Sequence, residues 1–319
     1  MPKTRIPTIS IAHLEQPETL RALDTACREW GIFQILEHGI DAAVGQRLQR
    51  QMRDFFALPD AQKLAVSRSS VNPWGYYDQE LTKNTPDWKQ IYDYGPSDPR
   101  TRDIAPQWPE PLPDFQPAIL AFYAACETLA FKLLTGISRN LGMPGDDLRG
   151  HFAAEHSSFL RLNYFPPCPT PAQPQQLNIP TNGHLGVNHH TDSGALTILL
   201  HDEQPGLEVY RDDAWHLIRP VPGALVVNIG DIVQVWSNDR YRAPLHRVRA
   251  NASAERFSAP FFFNPAYATN YAPLPTTVDK THPARYRSIN WGEFRAARAA
   301  GDYANLGEEV QISHYRTAG

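Results

Sequence analysis

From residue 195 onward the chain is a succession of short runs rich in β-formers, each closed by turn residues, and this spacing limits the fold more than any other feature. The runs cover 195–200, 206–210, 214–218, 224–229, 232–236, 244–250 and 256–263, with Gln204-Pro205-Gly206, Arg211-Asp212-Asp213 and Val221-Pro222-Gly223 between them. Short strands at this spacing build a β-sandwich or barrel. Phe159 to Pro169 opens the series. Upstream, Ile119, Phe122, Tyr123, Cys126, Leu129, Ala130, Leu133, Leu134, Ile137 and Leu141 recur at i, i+3, i+4 and i+7, which predicts a helix over 118–142 ending at Gly142. Its apolar stripe is expected to face the sheet. The fold class that follows is a mainly β core with flanking helices.

The N-terminal part supplies the flanking elements. Ile6 to Ile11 alternates as a strand, 21–30 has helical spacing and stops at Gly31, 32–36 reads as a strand, and Val44, Leu48, Met52, Phe55 and Phe56 mark a second helix. His38, in a Gly-containing turn, reads as structural. Residues 71–95 interleave aromatics and charges without helical period. They read as a packed loop, from which Tyr77 and Tyr92 are candidate rings of a ligand pocket. A proline-rich linker spans 104–117, a proline-containing loop spans 271–287, and a helix is expected over about 288–300, where it could cover a barrel mouth. The expected units are 1–110 (N-terminal region), 111–154 (long helix and connection), 155–270 (β core) and 271–319 (C-terminal loop and helix).

Composition excludes several function classes. A net charge of −4 and a pI near 6.3 leave no basic field for nucleic acid or an anionic membrane. Three widely separated cysteines, Cys27, Cys126 and Cys168, suggest neither a disulfide framework nor a CxxC site. The first 20 residues lack an apolar leader segment, so the expectation is a soluble, cytoplasmic monomer without a membrane partner.

The chemistry sits in Asn188-His189-His190-Thr191-Asp192 and in Pro244-Leu245-His246. In an extended chain side chains alternate, so His190 and Asp192 aim at a common point while His189 turns away. With 12 histidines in the chain, a His-x-Asp pair alone is weak. It gains weight from the strand-like runs around it and from His246, the best candidate for a third ligand. Two imidazoles and one carboxylate on one face of a metal leave the other face open, as in non-haem Fe(II) oxygenases, although mixed N/O donors do not by themselves name the ion. Ten residues beyond His246 (256 − 246) comes Arg256-Phe257-Ser258, a second same-face pair, and an arginine fork suits a carboxylate.

His190-x-Asp192, His246 and Arg256-x-Ser258 together resemble the Fe(II)/2-oxoglutarate-dependent dioxygenase superfamily, and within it the isopenicillin N synthase-like branch. The resemblance covers nearly the whole chain. It implies a double-stranded β-helix (jelly roll) and an iron held by His190, Asp192 and His246, with no catalytic side chain beyond the metal site. It further implies 2-oxoglutarate bound by Arg256 and Ser258 with help from Asn163, O2 as oxidant, and ascorbate as reductant. Oxidative decarboxylation would then drive hydroxylation or desaturation of a small molecule. One departure stands out. Many members have Asn-x-Tyr where this chain has Asn163-Tyr164-Phe165, so a hydroxyl contact to the co-substrate is missing or replaced. Three competing readings remain: an oxidase of the same fold that needs no 2-oxo acid, as in isopenicillin N synthase or aminocyclopropane oxidases; a ligand-binding module without catalysis; and a zinc hydrolase. Tyr77, Tyr92, Phe261 and Phe263 suggest an apolar or aromatic substrate, although the last two could equally face a core.

Overall fold

The computed structural model of the protein describes residues 5–95, 105–152, 155–173, 177, 182–303, 306 and 308–317. Two sheets face each other. The larger has eight strands in the spatial order β1 (Thr8–Ser10), β2 (Ile32–Leu36), β12 (Leu225–Ile229), β9 (Leu196–His201), β14 (Arg256–Phe263), β7 (Phe159–Phe165), β6 (Gln90–Tyr94) and β3 (Gly75–Tyr77). The smaller has four, in the order β11 (Ala214–Leu217), β10 (Leu207–Arg211), β13 (His246–Arg249) and β8 (Leu185–His190). Apart from β1 and β2, which run parallel, neighbours are antiparallel, the pairing expected of a jelly roll.

The larger sheet is buried on both faces. On one, Leu160 and Leu162 of β7, Ile198 of β9 and Phe257, Ala259, Phe261 and Phe263 of β14 join the main core. That core is closed by α1 (Pro17–Glu29), α2 (Ala42–Phe56) and α4 (Phe115–Asn140). The helix α4 is long and apolar enough to cross a bilayer by length and composition, but half of its most apolar stretch is buried inside the protein. Its stripe faces the sheet, as its 3.6-residue period predicts. On the other face, Phe165, Leu199 and Val226 meet Leu207, Val209 and Val248 of the smaller sheet. Residues of both sheets line the cavity described below.

Two segments differ from the sequence reading. Residues 71–95 are not a loop. They contain β3, a small hairpin of β4 (Leu81–Thr82) and β5 (Thr85–Pro86), and β6, whose pairing with β7 (Tyr92↔Leu162, Asp93↔Arg161) extends the larger sheet. Residues 232–236 are not a strand. They lie in the helix α5 (Asp231–Trp236), which follows the shorter helix α3 (Asp60–Leu64) and α4 in chain order. The reason is tertiary: the amides of Asp231 and Ile232 donate to the carbonyls of Asp192 (2.8 Å) and Gly194 (3.2 Å), so the helix start is satisfied by the loop it rests on. Gly230 permits this approach, because a Cβ there would come within 2.2 Å of the Gly194 carbonyl oxygen. The β-branched Ile232, Val233 and Val235 are fully buried, and burial outweighs their strand preference. The C-terminal helix α6 (Trp291–Tyr303) lines part of the cavity with Arg295, Ala296, Arg298 and Ala299.

Candidate metal centre

His190 ends β8, and the β8–β13 register places it opposite His246. Asp192 follows in the turn before β9. One ligand atom from each of the three lies within 4.8 Å of the others, and the two imidazole rings are 4.3 Å apart. The Nε2 atoms of His190 and His246 are 3.5 Å and 3.7 Å from Asp192 Oδ1.

The surroundings leave the right atoms free. His190 Nδ1 lies 2.8 Å from the Asn188 carbonyl oxygen and His246 Nδ1 lies 3.1 Å from that of Pro244. A carbonyl only accepts, so each Nδ1 carries the proton and each Nε2 presents its lone pair to the common point. Asp192 Oδ2 accepts from Thr197 Oγ1 and, at 2.7 Å, from Asn228 Nδ2, which leaves Oδ1 for a metal. Burial disfavours the Asp192 charge, yet His246, His190 and Asn228 together hold its carboxyl well below the usual range. Burial, with His190 beside it, pushes His246 down to about 4, so its imidazole is neutral and ready to ligate at ordinary pH. The donor set therefore fits a divalent transition ion of the Fe(II) type.

The clamp on this loop extends to α6. Arg298 donates to Asp231 Oδ2 at 3.1 Å and to the Thr191 carbonyl at 3.0 Å, tying the C-terminal helix to the turn between two metal ligands. Nothing local in the sequence marks this pair. Asn228 is a simpler case, and Asn228→Leu should weaken Fe(II) binding roughly 10–100-fold, the usual cost of losing an outer hydrogen bond to a ligand. Metal titration of the variant measures this, and wild-type affinity would mean that the bond to Asp192 Oδ2 plays no part in metal binding.

Across the cavity, β14 presents Arg256 and Ser258, and Ser258 is in register with Asn163 of β7. Arg256 is 4% exposed. Among the described residues no carboxylate pairs with it, and its Nε and Asn163 Oδ1 are buried without hydrogen-bond partners. Asp202, the nearest acidic influence, spends its oxygens on the amides of Phe257 and Gln204. Burial lowers Arg256 to about 10, so it stays charged at neutral pH. A buried cation with an idle donor is a seat waiting for an anion. The guanidinium lies 5.1 Å from the Phe165 ring centre, so the ring that replaces the expected tyrosine packs against the cation instead of offering a hydroxyl. Gly186 makes room for it, since a Cβ there would come within 2.9 Å of that ring.

The structure corrects the four aromatic pocket residues. Tyr77 sits under Arg68 (3.6 Å to the ring centre) and Tyr92 is packed among Phe55 and Phe115, its hydroxyl bonded to the Gln107 carbonyl; neither lines the cavity. Phe261 and Phe263 point the other way, Phe261 against Tyr123 and Phe263 stacked on Phe152 at 4.0 Å. Alternation explains this. Arg256 and Ser258 face the cavity, so Pro260 and Phe262 must too, and 261 and 263 cannot. The same count on β7 from Asn163 finds Phe159 and Arg161. The cavity holds about 490 Å³. Phe263→Ala should therefore cost about 3–5 kcal/mol of stability without changing ligand preference, whereas Phe262→Ala, at a half-buried site, should alter ligand affinity more than the melting temperature. Parallel melting and binding curves on both variants would show it; the reverse assignment of effects would refute the parity argument.

Comparison with known proteins agrees with this geometry. The family model described as 2OG-Fe(II) oxygenase superfamily matches residues 156–265, and that described as non-haem dioxygenase in morphine synthesis N-terminal matches residues 6–113. The chain is 32% identical over 302 residues to oxoglutarate-dependent flavonoid 7-O-demethylase 1 of Ocimum basilicum, covering 92% of this chain and 77% of that protein. It is 34% identical over 288 residues to jasmonate-induced oxygenase 4 of Arabidopsis thaliana, covering 88% and 78%. Among solved structures, JOX2 in complex with 2OG, Fe and JA superposes with a TM-score of 0.83 at 28% identity, covering 98% of this chain and 90% of that one. The rice dioxygenase for auxin oxidation gives 0.75 at 25% identity, covering 98% and 100%.

Proposed function

The chain belongs to the 2OG-Fe(II) oxygenase superfamily, and we propose that Arg256, Ser258 and Asn163 form the seat for the far carboxylate of its co-substrate. The protein is a non-haem Fe(II) dioxygenase that couples oxidative decarboxylation of 2-oxoglutarate to hydroxylation or desaturation of a small molecule. His190, Asp192 and His246 hold the iron. When bound, the iron supplies activation of O2 for attack on a C–H bond, with succinate and CO2 as the other products. The chain's own residues orient and neutralise. Arg256 offers a charged fork, Ser258 Oγ, 3.4 Å from its Nη1, adds a donor, and Phe165 keeps the fork in place.

One observation supports this assignment above the others: an arginine with no carboxylate of its own among the described residues is buried in the same cavity as the metal ligands. The test is anaerobic visible absorbance. Fe(II) and then 2-oxoglutarate are added to wild type and to His246→Ala. A charge-transfer band that needs both the intact triad and the 2-oxo acid supports the seat. Iron binding without the band would favour an oxidase that uses O2 without a 2-oxo acid, the reading the relatives disfavour. We further propose a cytoplasmic monomer that binds neither nucleic acid nor membrane, consistent with the modest negative charge and with three buried free cysteines.

A further inference from the structure

We infer that the cavity selects an uncharged, ring-bearing substrate and discriminates against the matching carboxylate. This rests on the 2-oxoglutarate-dependent reading above and goes beyond it to the substrate's chemical class.

The first support is one wall. Phe159 and Phe262 stack with centres 4.6 Å apart and planes 24° off parallel, and Trp74 continues the surface 6.4 Å from Phe159. All three line the cavity. Such a surface suits a flat ring and carries no charge preference of its own.

The second is the state of every cation lining the cavity. Arg161 donates through Nε and Nη2 to the two oxygens of Asp93, each at 2.8 Å, and through Nη1 to Glu80 at 2.9 Å. Arg68 reaches Glu80 at 2.8 Å and Asp93 at 3.7 Å, and its guanidinium carbon lies over Tyr77, 3.6 Å from the ring centre. The Arg161 fork is fully engaged, Arg68 is ion-paired with both carboxylates, and the four side chains balance two positive charges against two negative. Glu80 is held down to about 2: burial opposes its charge, but Arg161, Lys89 and Arg68 outweigh that. Lys89 is paired with buried Asp87 at 3.1 Å, and Arg298 with Asp231. Arg295 donates to the Ser157 carbonyl at 3.2 Å. Among the described residues Arg256 keeps a buried donor without a hydrogen-bond partner and has no carboxylate paired with it, and 2-oxoglutarate takes it.

A substrate carboxylate would therefore enter a cavity where Glu80 and Asp93 already hold the guanidinium groups. It would have to displace one of them or stay desolvated and unpaired, and either is costly. An uncharged carbonyl, amide or hydroxyl needs no such exchange, because the remaining N–H groups and carboxylate lone pairs of the network can serve it. The network acts as a filter on charge and as a polar handle.

The test uses one ring with two heads, 2-naphthylacetamide and 2-naphthylacetate. Binding to the Fe(II) enzyme saturated with 2-oxoglutarate is measured by calorimetry without O2. The amide should bind about tenfold tighter or more. Glu80→Gln removes one carboxylate and frees guanidinium donors, and should shift the ratio at least about tenfold toward the acid. Asp93→Asn frees the same groups and serves if the first variant does not fold, as judged by its melting curve. Equal or tighter binding of the acid to wild type overturns the inference, as does an unchanged ratio in the folded variant, or failure of both rings to bind at millimolar concentration. The 2-oxoglutarate band is recorded first. Its absence would sink the co-substrate reading and this inference with it, whereas a band without a preference for the amide overturns this inference alone.

Discussion

Replacing His246 by alanine is expected to abolish Fe(II) binding in the micromolar range and, with it, all 2-oxoglutarate turnover. His246 supplies one of three candidate ligand atoms, and its Nε2 faces Asp192 Oδ1 at 3.7 Å. Outer hydrogen bonds to ligands are worth about 10–100-fold in metal affinity, so loss of a ligand should cost at least about 100-fold. Apo stability should change little by comparison: the variant loses a neutral, buried ring and its bond to the Pro244 carbonyl, worth roughly 1 kcal/mol. Metal titration and a melting curve on the metal-free protein separate the two effects. Wild-type metal affinity in a folded His246→Ala would show that the triad does not hold the metal.

Arg256→Met is expected to move binding and stability in opposite directions. Truncating one partner of a buried charge pair costs about 2–5 kcal/mol, so 2-oxoglutarate affinity should fall roughly 30-fold or more. In the apo protein the same change should raise the melting temperature, because the wild type buries a cation with no carboxylate partner among the described residues. The sign follows from the titration. The folded pKa of Arg256, about 10, lies below its unfolded value, so the cation opposes folding below that pH and the penalty fades as pH rises through 10. Calorimetric titration with 2-oxoglutarate and apo melting curves at pH 7 test both halves. Unchanged 2-oxoglutarate affinity would remove Arg256 from the seat, and a lower apo melting temperature would contradict the account of its burial.

Much of this was legible because it is local. The long helix announces itself by a 3.6-residue period, and the ligand pair by a period of two within one extended stretch. Arg256 and Ser258 could also be placed by parity, and the same parity, carried four residues further, identifies Pro260 and Phe262 as cavity residues. Choosing Phe261 and Phe263 followed aromatic content where alternation held the answer. Other features were beyond reach. No local pattern says that β6 pairs with β7 or that α6 contributes residues to the cavity.

The sequence by itself determined a sandwich or barrel of short strands and the same-face pairs His190/Asp192 and Arg256/Ser258, because strand alternation and short spacings encode which side chains share a face, while the jelly-roll class and the roles proposed for these residues came with the family resemblance. Only the tertiary structure decided what surrounds them. The charge network joins Arg68, Glu80, Asp93 and Arg161 from separate segments of the chain, and α5 coils because a distant loop satisfies its first amides. Arg298 reaches the metal loop from 107 residues beyond Thr191. Such contacts follow from burial and hydrogen-bond satisfaction in three dimensions, for which a linear pattern carries no local sign.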